Sequence, residues 1–446
     1  MKVTIGSTTY TTIRNLSFSP QVDITGDTIP INEFTVQIKT TNDIAVGQWA
    51  SLYDDLNNLW AKYWIMYADR VDAQFVEVKA QSIIALLDRV TMDATIYDAY
   101  TMAGTVITAC FTAAGVSTGF TIDSSIQGTT LVEQLTAASV IGYLPEQTAR
   151  ERLQWVCFVI GAYVKQHGSQ NVEIKGLDQS TLTYIPKNKT FWKPSIEYKD
   201  YVTQISITGY DFTERTPQQG EEYVTVNDTN YVVTSQKYTL TNSEAPESAL
   251  PNEINIDGCY LVNDDNADEI LSRLALLYFE RKEITADVIN NNEYKPPMKV
   301  AVQLDVSPDA NGKIHDAVGY IESADFRFGM QARSTLKIVA SQTRELVELI
   351  VNYTFNGETI KTEHYAFPSG YSYSILNPII GRSTGDHRYV YRPLTEYCTG
   401  TMGSTTTTKT VACEMALHWY KKEKLLRILS VSDVEYDSTN KVVEIN

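Results

Sequence analysis

An acidic run at residues 263–269, NDDNADE, is the stretch of this chain that most resembles a metal-binding loop. A calcium-binding EF-hand loop requires glycine at its sixth position and glutamate at its twelfth. Glu269 and Ala275 stand at those two positions here. Acidic side chains are also favoured at the start of a helix, where they cap free N–H groups and interact with the helix dipole. We therefore interpret the run as a helix N-terminus.

The histidines and the known catalytic motifs indicate no reaction. Three of the five histidines, His364, His387 and His418, are 23 and 31 residues apart, whereas zinc sites usually contain a close pair of ligands. The sequence has no GxSxG, P-loop or GxGxxG motif. A carboxylate pair that cuts polysaccharide stays open, because spacing across strands is invisible in a sequence. We predict no catalytic, cofactor-binding or metal-binding residue, no cofactor and no enzymatic activity.

The five cysteines are an odd number without a CxxC pair, and we predict that they are structural thiols. Cys110 and Cys157 lie in stretches with a helical pattern. A disulfide between Cys398 and Cys413 stays open, because these residues can be neighbours across two strands.

The acidic run opens a unit of helix and strands that extends to residue 341. The helix has one apolar stripe at helical spacing, Ile270, Leu271, Leu274, Leu277 and Tyr278. In the strand that follows, two sets of residues alternate between opposite faces, Met298, Val300, Val302, Leu304 and Val306 against Lys299, Gln303 and Asp305. A hairpin is expected at Gly329, with an apolar face made of Phe326, Phe328, Ala332, Leu336 and Ile338. This unit is predicted to pack and not to catalyse.

Length and composition indicate several folded domains. At 446 residues the chain exceeds one core and should hold about three or four domains. Its hydrophobic fraction of 43% excludes global disorder. The longest apolar run, residues 155–164, is much shorter than the roughly 20 residues that span a bilayer, and the N-terminus has no signal-peptide pattern. We expect no membrane span and synthesis in a cytoplasm.

The negative charge is concentrated in the first 345 residues. Of the net charge of −17, they carry −16, and residues 346–446 carry −1. Nucleic-acid binding depends on neutralising phosphates, so this balance argues against specific nucleic-acid binding. It suits a wall that DNA passes without adhering, and it suggests a domain boundary near residue 346.

The patterns divide the chain into four segments. Residues 1–92 and 196–345 each have several short strands and one helix, at 82–89 and 266–283. Residues 93–195 have the pattern of a small α/β domain, with a helix at 102–114 and a capping box at 148–151 that opens another. Residues 346–446 are again rich in strand pattern.

Four motifs in order resemble the tail-tip or baseplate hub proteins of bacteriophages and of phage-like contractile injection particles. They are INEFTVQI at 31–38, VGQWASLY at 46–53 followed by AQSIIALLDR at 80–89, QTARERLQ at 147–154 continued by FVIGA at 158–162, and GYIESADF at 319–326 with the turn at Gly329. The resemblance covers roughly residues 1–345. One departure is FGM at 328–330, where such proteins often carry two adjacent glycines, and it puts the turn type in doubt.

The resemblance implies a mainly β fold with α+β parts: two β-barrel-like domains that flank a small α/β domain, plus a C-terminal β-rich accessory domain. It further implies a homotrimer whose six barrels form a pseudo-sixfold ring. Such a ring would join the hexameric tail tube protein, or a distal tail ring, to a central spike or tip protein. The passage through it would serve DNA or the tape-measure protein. The expected location is the tail of a virion or phage-like particle made in the bacterial host cytoplasm.

Two other functions stay open. One is a tail-associated cell-wall hydrolase. The other is a receptor-binding adhesin that uses residues 346–446, part of which faintly resembles mucin-binding-type β modules. The tyrosines of this segment can form a binding face or be ordinary β-sheet residues; they are Tyr365, Tyr371, Tyr373, Tyr389, Tyr391 and Tyr397.

Overall fold

The fold was determined as a computed structural model of the chain. It describes residues 1–116, 120–122, 139–166, 171–177, 181–305, 313–328, 332–384, 387–419, 425–429, 434–437 and 442–445. These residues form two compact units. The first, unit 1, comprises Met1–Tyr184, Lys189–Ala301 and Val318–Gln342, and the second, unit 2, comprises Ile185–Asn188, Val302–Ala317 and Thr343–Asn446. The four-segment division made from the sequence stays a prediction.

Strands far outnumber helices in the part of the chain that the structure describes. The helices are α1 (Ile84–Leu87), α2 (Ala103–Ala113), α3 (Ala149–Ile160) and α4 (Ala267–Tyr278), with a 3-10 turn at Lys187–Lys189. The first strands are β1 (Lys2–Ile5), β2 (Thr8–Tyr10), β3 (Ile13–Phe18), β4 (Glu33–Lys39), β5 (Trp49–Tyr53), β6 (Leu59–Arg70), β7 (Phe75–Gln81), β8 (Thr91–Met92), β9 (Thr95–Met102), β10 (Phe120–Ile122) and β11 (Ser139–Leu144). They are followed by β12 (Gln147–Thr148), β13 (Ala162–Lys165), β14 (Val172–Gly176), β15 (Thr183–Ile185), β16 (Ser195–Tyr198), β17 (Gln204–Glu214), β18 (Tyr223–Val226), β19 (Thr229–Thr241), β20 (Glu253–Ile256), β21 (Lys282–Ile289) and β22 (Lys299–Gln303). The remaining strands are β23 (Ile314–Arg327), β24 (Arg333–Phe355), β25 (Glu358–Phe367), β26 (Ser372–Leu376), β27 (Ile380–Thr384), β28 (His387–Pro393), β29 (Tyr397–Thr401), β30 (Thr407–Trp419), β31 (Leu425–Leu429), β32 (Val434–Asp437) and β33 (Val442–Ile445).

The first seven strands of unit 1 form one antiparallel sheet. Their spatial order is β2-β1-β5-β6-β7-β4-β3. The alternating residues seen in the sequence are buried on one face, as Phe34, Val36 and Ile38 of β4 show. At the edge of this sheet β3 meets β23, where Phe18 pairs with Phe326. The chain is therefore mainly β with curled sheets, as the sequence predicted.

The helices α1 to α3 contribute to one core of unit 1, to which Ile270, Leu271 and Leu274 also belong. The capping box predicted at α3 is confirmed, because Thr148 Oγ1 accepts from the Glu151 amide at 3.2 Å and the Thr148 amide donates to Glu151 Oε2 at 2.8 Å. The apolar side of α3 is buried in this core, including Leu153 and Cys157. The helix α2 ends just before Gly115, whose φ of +70° provides the left-handed stop that the sequence indicated.

The helix α4 packs on a second sheet of unit 1, with strand order β18-β19-β17-β20. Its apolar stripe is buried at Ile270, Leu271 and Leu274. The expected helix bounds of 266–283 were too long, since α4 ends at Tyr278. The reason is that Lys282 already pairs with Tyr198 in the antiparallel β16–β21 ladder.

The strand after the expected turn, β24, pairs with β21, a partner that the sequence did not indicate, and the hairpin at Gly329 stays a prediction. In the β21–β24 ladder Ala286 pairs with Leu336 and Ile284 with Ile338, and all four side chains are buried. The expected turn at Gly329 and Val306 of the alternating strand lie outside the described residues. The strict alternation in β22 is incomplete, because Ala301 and Gln303 are buried together with Val300.

The described part of unit 2 is mainly strands and is built around the end of β24. There β24 pairs antiparallel with β25 and parallel with β30. The strand β30 also pairs with β28 and β31, and β28 pairs with β27. Within this unit Arg344 forms a two-pronged ion pair with Asp316, with N–O distances of 2.7 and 3.2 Å. The carboxylate of Asp316 is fully buried.

Candidate functional site

The acidic run at 263–269 is a helix N-terminus, as predicted. The Asp265 amide donates to Asn263 Oδ1 and the Asn263 amide donates to Asn266 Oδ1, both at 3.0 Å. The helix α4 begins at the next residue, Ala267, and has two acidic side chains in its first turn. In the described parts of the chain, no group of three or more histidine, cysteine or carboxylate side chains is arranged to hold a metal ion.

The three C-terminal histidines fall on strands of unit 2. His364 Nδ1 lies 2.7 Å from Glu348 Oε1. In the β28–β30 ladder His387 pairs with Trp419 and Arg388 pairs with His418. Two histidines that are far apart in sequence are therefore one register step apart on paired strands, which no sequence spacing indicated. His364 lies on a different strand, β25.

The cysteines are all free and buried, which confirms the prediction of structural thiols. The possible disulfide between Cys398 and Cys413 is not formed. Burial raises the pKa of Cys110 to about 12 and that of Cys259 to about 12. Such thiols remain protonated at neutral pH, so they are poor nucleophiles.

The tyrosines of residues 346–446 do not form one exposed face. Tyr371 and Tyr373 stack on the buried ring of Phe367 at 5.2 and 5.8 Å. Tyr391 is buried against Phe355. Tyr397 is half exposed, and the side chain of Tyr389 lies outside what the structure describes. Most of the tyrosines that are described therefore pack within unit 2.

Unit 1 contains a cavity of about 540 Å³ with an acidic lining, which we call the acidic cavity. The strands β9, β11, β17 and β19 and the loop before α4 surround it. Its charged lining consists of Asp98, Asp211, Asp264 and Asp265, without lysine, arginine or histidine among the lining residues. All four aspartates are exposed to solvent.

Aromatic rings pack against the lining of the acidic cavity. The ring of Tyr260 lies 4.6 Å from that of Tyr210 and 5.7 Å from that of Tyr143. The hydroxyl of Tyr210 donates to Asp257, which lowers the pKa of Asp257. Burial, followed by this hydrogen bond, raises the pKa of Tyr210. Negative charge beside aromatic faces can attract a cation, although exposure to solvent weakens that attraction.

Sequence reasoning did not find the acidic cavity. Its lining comes from five segments of the chain, near residues 97, 141, 211, 236 and 264. No local spacing connects these segments, and only strand pairing such as Gln236 with Gly209 brings two of them together.

The described helices include none that is both long and apolar enough to cross a membrane.

Comparison with known proteins gives a structural match and no sequence match. No protein family profile matches the chain, and no curated protein matches it. The crystal structure of the tail protein from Neisseria meningitidis MC58 is similar at 11% identity and a TM-score of 0.51, and the match covers 76% of this chain and 95% of that one.

Two further solved structures are similar at lower scores. The prophage tail protein gp18 from Listeria monocytogenes EGD-e has 14% identity and a TM-score of 0.48, covering 74% of this chain and 90% of that one. The E. coli c3393 protein, a component of the type VI secretion system with structural similarity to the T4 bacteriophage tail proteins gp27 and gp5, has 10% identity and a TM-score of 0.45, covering 96% of this chain and 99% of that one. The chain has the fold of the solved Neisseria meningitidis tail protein, which confirms at the level of fold the resemblance seen in the sequence.

Proposed function

We propose that this protein is a structural component of a phage or phage-like tail, namely the hub at its tip or baseplate. The observation that carries the proposal is the shared fold, which extends over 95% of the Neisseria meningitidis tail protein. The match covers 76% of this chain. The sequence motifs that resemble hub proteins lie within residues 1–345. Two independent comparisons therefore favour the same kind of protein.

The proposed assembly is a homotrimer in which residues 1–92 and 196–345 act as two similar barrels. Three copies would present six such domains to a hexameric tail tube, with the spike or tip protein on the other side. The broad antiparallel sheet β2-β1-β5-β6-β7-β4-β3 offers the kind of rigid surface that this role requires. The net charge of −16 over the first 345 residues would repel DNA from the wall of the passage.

Native mass spectrometry of the intact chain, alone and mixed with its cognate tube protein, tests this proposal. We expect a trimer, or a monomer that becomes a trimer on the tube ring, because some rings close only on a template. A chain that stays monomeric and does not bind the tube protein would refute the hub. In parallel, the intact chain is assayed by zymography on purified peptidoglycan, where clear lysis would support the hydrolase instead.

A second function, attachment of a partner or receptor through residues 346–446, is favoured by an exposed apolar patch. The patch is formed by Leu376 and Tyr397, which are 62% and 49% exposed, and Ile379 and Leu394, close to them in sequence, are also exposed. Leu376 and Tyr397 are paired across β26 and β29. Exposed apolar side chains that lie close together often mark binding surfaces.

The test uses the full chain with Leu376→Asp, compared with Leu56→Asp, which changes an even more exposed leucine of unit 1, 82% exposed against 62%. We expect the first variant alone to lose binding to host cell envelopes in a sedimentation assay. Equal binding by both variants and the unchanged chain would exclude this patch as the attachment surface.

A further inference from the structure

A second cavity of unit 1, of about 320 Å³, has the opposite charge to the acidic cavity. We call it the lysine cavity, because Lys165, Lys295 and Lys299 line it together with a single carboxylate, that of Glu293. Its other walls include Pro296, Pro297 and Met298. In a chain with a net charge of −17, a cavity with an excess of positive charge is unusual and requires an explanation.

Lys295 is the buried centre of this cavity. The residue is only 9% exposed. Its ammonium group donates to the Trp60 carbonyl oxygen at 2.8 Å and lies 5.3 Å from the centre of the Trp60 ring. Both partners are neutral, and within the described chain no carboxylate lies at ion-pair distance from Lys295. The charge therefore has polar contacts but no counter-charge.

Two neighbouring lysines, Lys165 and Lys299, have partners of their own. Glu173, the nearest acidic partner of Lys165 at 3.0 Å, is already shared with Lys175 at 3.1 Å. The ammonium group of Lys299 lies 5.6 Å from the centre of the Tyr320 ring. Burial, and then repulsion from Lys165, lowers the pKa of Lys295 to about 7. An anion in the cavity would relieve both penalties, because it would compensate the buried charge and the repulsion between the lysines.

We propose that the lysine cavity binds the carboxylate group of an organic anion. The three lysines supply the positive charge, while the proline and methionine walls suit a short apolar body. The volume lies at the small end of the range for organic ligands. The carboxylate belongs either to a free organic acid or to an acidic side chain of a partner protein. The proposal goes beyond the tail function and does not depend on it.

Residue-resolved labelling of lysines by an amine-reactive ester, read by mass spectrometry at pH 7.5, tests the proposal on the intact chain. Glutarate serves as the free acid, hexaglutamate as the acidic segment, and inorganic phosphate as an anion without a carbon body. Sodium chloride at matched ionic strength is the reference, and Lys237 is the internal control. We expect glutarate or hexaglutamate to slow the labelling of Lys295 at least about threefold. Only the neutral amine reacts with the ester, and a rise of one unit in the pKa of Lys295 from about 7 lowers the neutral fraction by this factor at pH 7.5. Labelling of Lys237 should not change.

The result also distinguishes the source of the ligand. Protection by glutarate identifies a free acid, and protection by hexaglutamate alone identifies an acidic segment of a partner. Stronger protection by phosphate than by either carboxylate, or equal labelling with every anion and with chloride, would overturn the proposal. A Lys299→Met variant should lose the protection while a Lys237→Met variant keeps it, and protection that persists in Lys299→Met would equally contradict a site built by the three lysines.

Discussion

The two cavities of unit 1 differ more in burial than in the number of their charges. The acidic cavity has four aspartates that are all exposed to solvent. The lysine cavity has three lysines, and the central one is only 9% exposed. Water stabilises each exposed carboxylate almost as well as in the unfolded chain, whereas the buried ammonium group loses much of its hydration. The difference teaches that the burial of a charge, and not the number of charges, sets the lysine cavity apart.

The comparison also separates what holds each cavity in shape. In the acidic cavity the backbone sets the geometry, because the Tyr143 amide donates to the Tyr260 carbonyl oxygen at 3.2 Å beside Gly142. In the lysine cavity a charged side chain is itself part of the packing against Trp60. Substitutions should therefore affect the two cavities through different physical causes.

The largest expected effect is the dependence of stability on pH through Lys295. Its pKa is about 7 in the folded protein against 10.5 in the unfolded chain. Between these values the unfolded state binds more protons, so the free energy of unfolding rises with pH from about 7 to 10.5. This contribution is on the order of 5 kcal/mol over the whole window.

Lys295→Met should remove this rise. Guanidinium unfolding at pH 7 and pH 9.5 gives the free energy of unfolding of the variant and of the unchanged chain, and the difference between the two proteins should change between these pH values. The contributions of the other titrating groups are the same in both proteins and therefore cancel in that difference. The control Lys237→Met removes a half-exposed lysine that is paired with Glu253. The difference in the free energy of unfolding between this control and the unchanged chain should be the same at both pH values. Parallel curves for Lys295→Met and the unchanged chain would show that the buried ammonium is not perturbed.

Gly142→Ala should have the next largest effect, because it acts on the backbone of the acidic cavity. A Cβ atom at this position would lie 2.3 Å from the Tyr260 carbonyl oxygen, and φ is +123°. Neither the backbone oxygen nor the dihedral angle can adjust cheaply, so we expect a loss of about 2 to 3 kcal/mol in stability. The control Gly176→Ala has no atom within 4 Å of the added Cβ. Equal melting temperatures for these two variants would contradict a cavity shaped by its backbone.

Tyr210→Phe tests the hydrogen bond that joins the aromatic rings to Asp257 at the acidic cavity. The change removes the hydroxyl donor and leaves the ring in contact with Tyr260. A hydrogen bond to a charged group contributes about 1.5 to 3 kcal/mol, and we expect about 1 to 2 kcal/mol here because Asp257 regains water. Thermal unfolding is the measurement, with Tyr198→Phe as the control at a ring that is 58% exposed. A loss no larger than that of the control would mean that solvent replaces the hydroxyl completely.

The sequence predicted the elements of this fold better than its cavities, for a physical reason. The capping box at Thr148 and the stop at Gly115 involve residues three or four apart, so local sequence determines them. The end of α4 was misplaced because a distant strand residue, Tyr198, pairs with Lys282.

Both cavities depend still more on distant contacts. Lys165 and Lys295 are separated by 130 positions in the sequence, and each lies in a segment with no unusual composition. Only the packing of the strands brings them to one cavity. The burial of Lys295 against Trp60 has no signal in the sequence, since lysines are mostly exposed in proteins.

The smallest effect is expected from neutralising the acidic cavity with the double variant Asp211→Asn and Asp264→Asn. Both carboxylates are exposed, and asparagine keeps an oxygen that can accept the Phe212 amide hydrogen bond now made by Asp211. We therefore expect a change in the free energy of unfolding within about 0.5 kcal/mol. A matched change at a buried carboxylate, Asp316→Asn in unit 2, should cost on the order of 3 kcal/mol because it breaks the ion pair with Arg344. If the double variant lost as much stability as Asp316→Asn, exposure to solvent would not be what separates the two cavities. The carboxylates of the acidic cavity would then depend on specific partners, as a buried charge does.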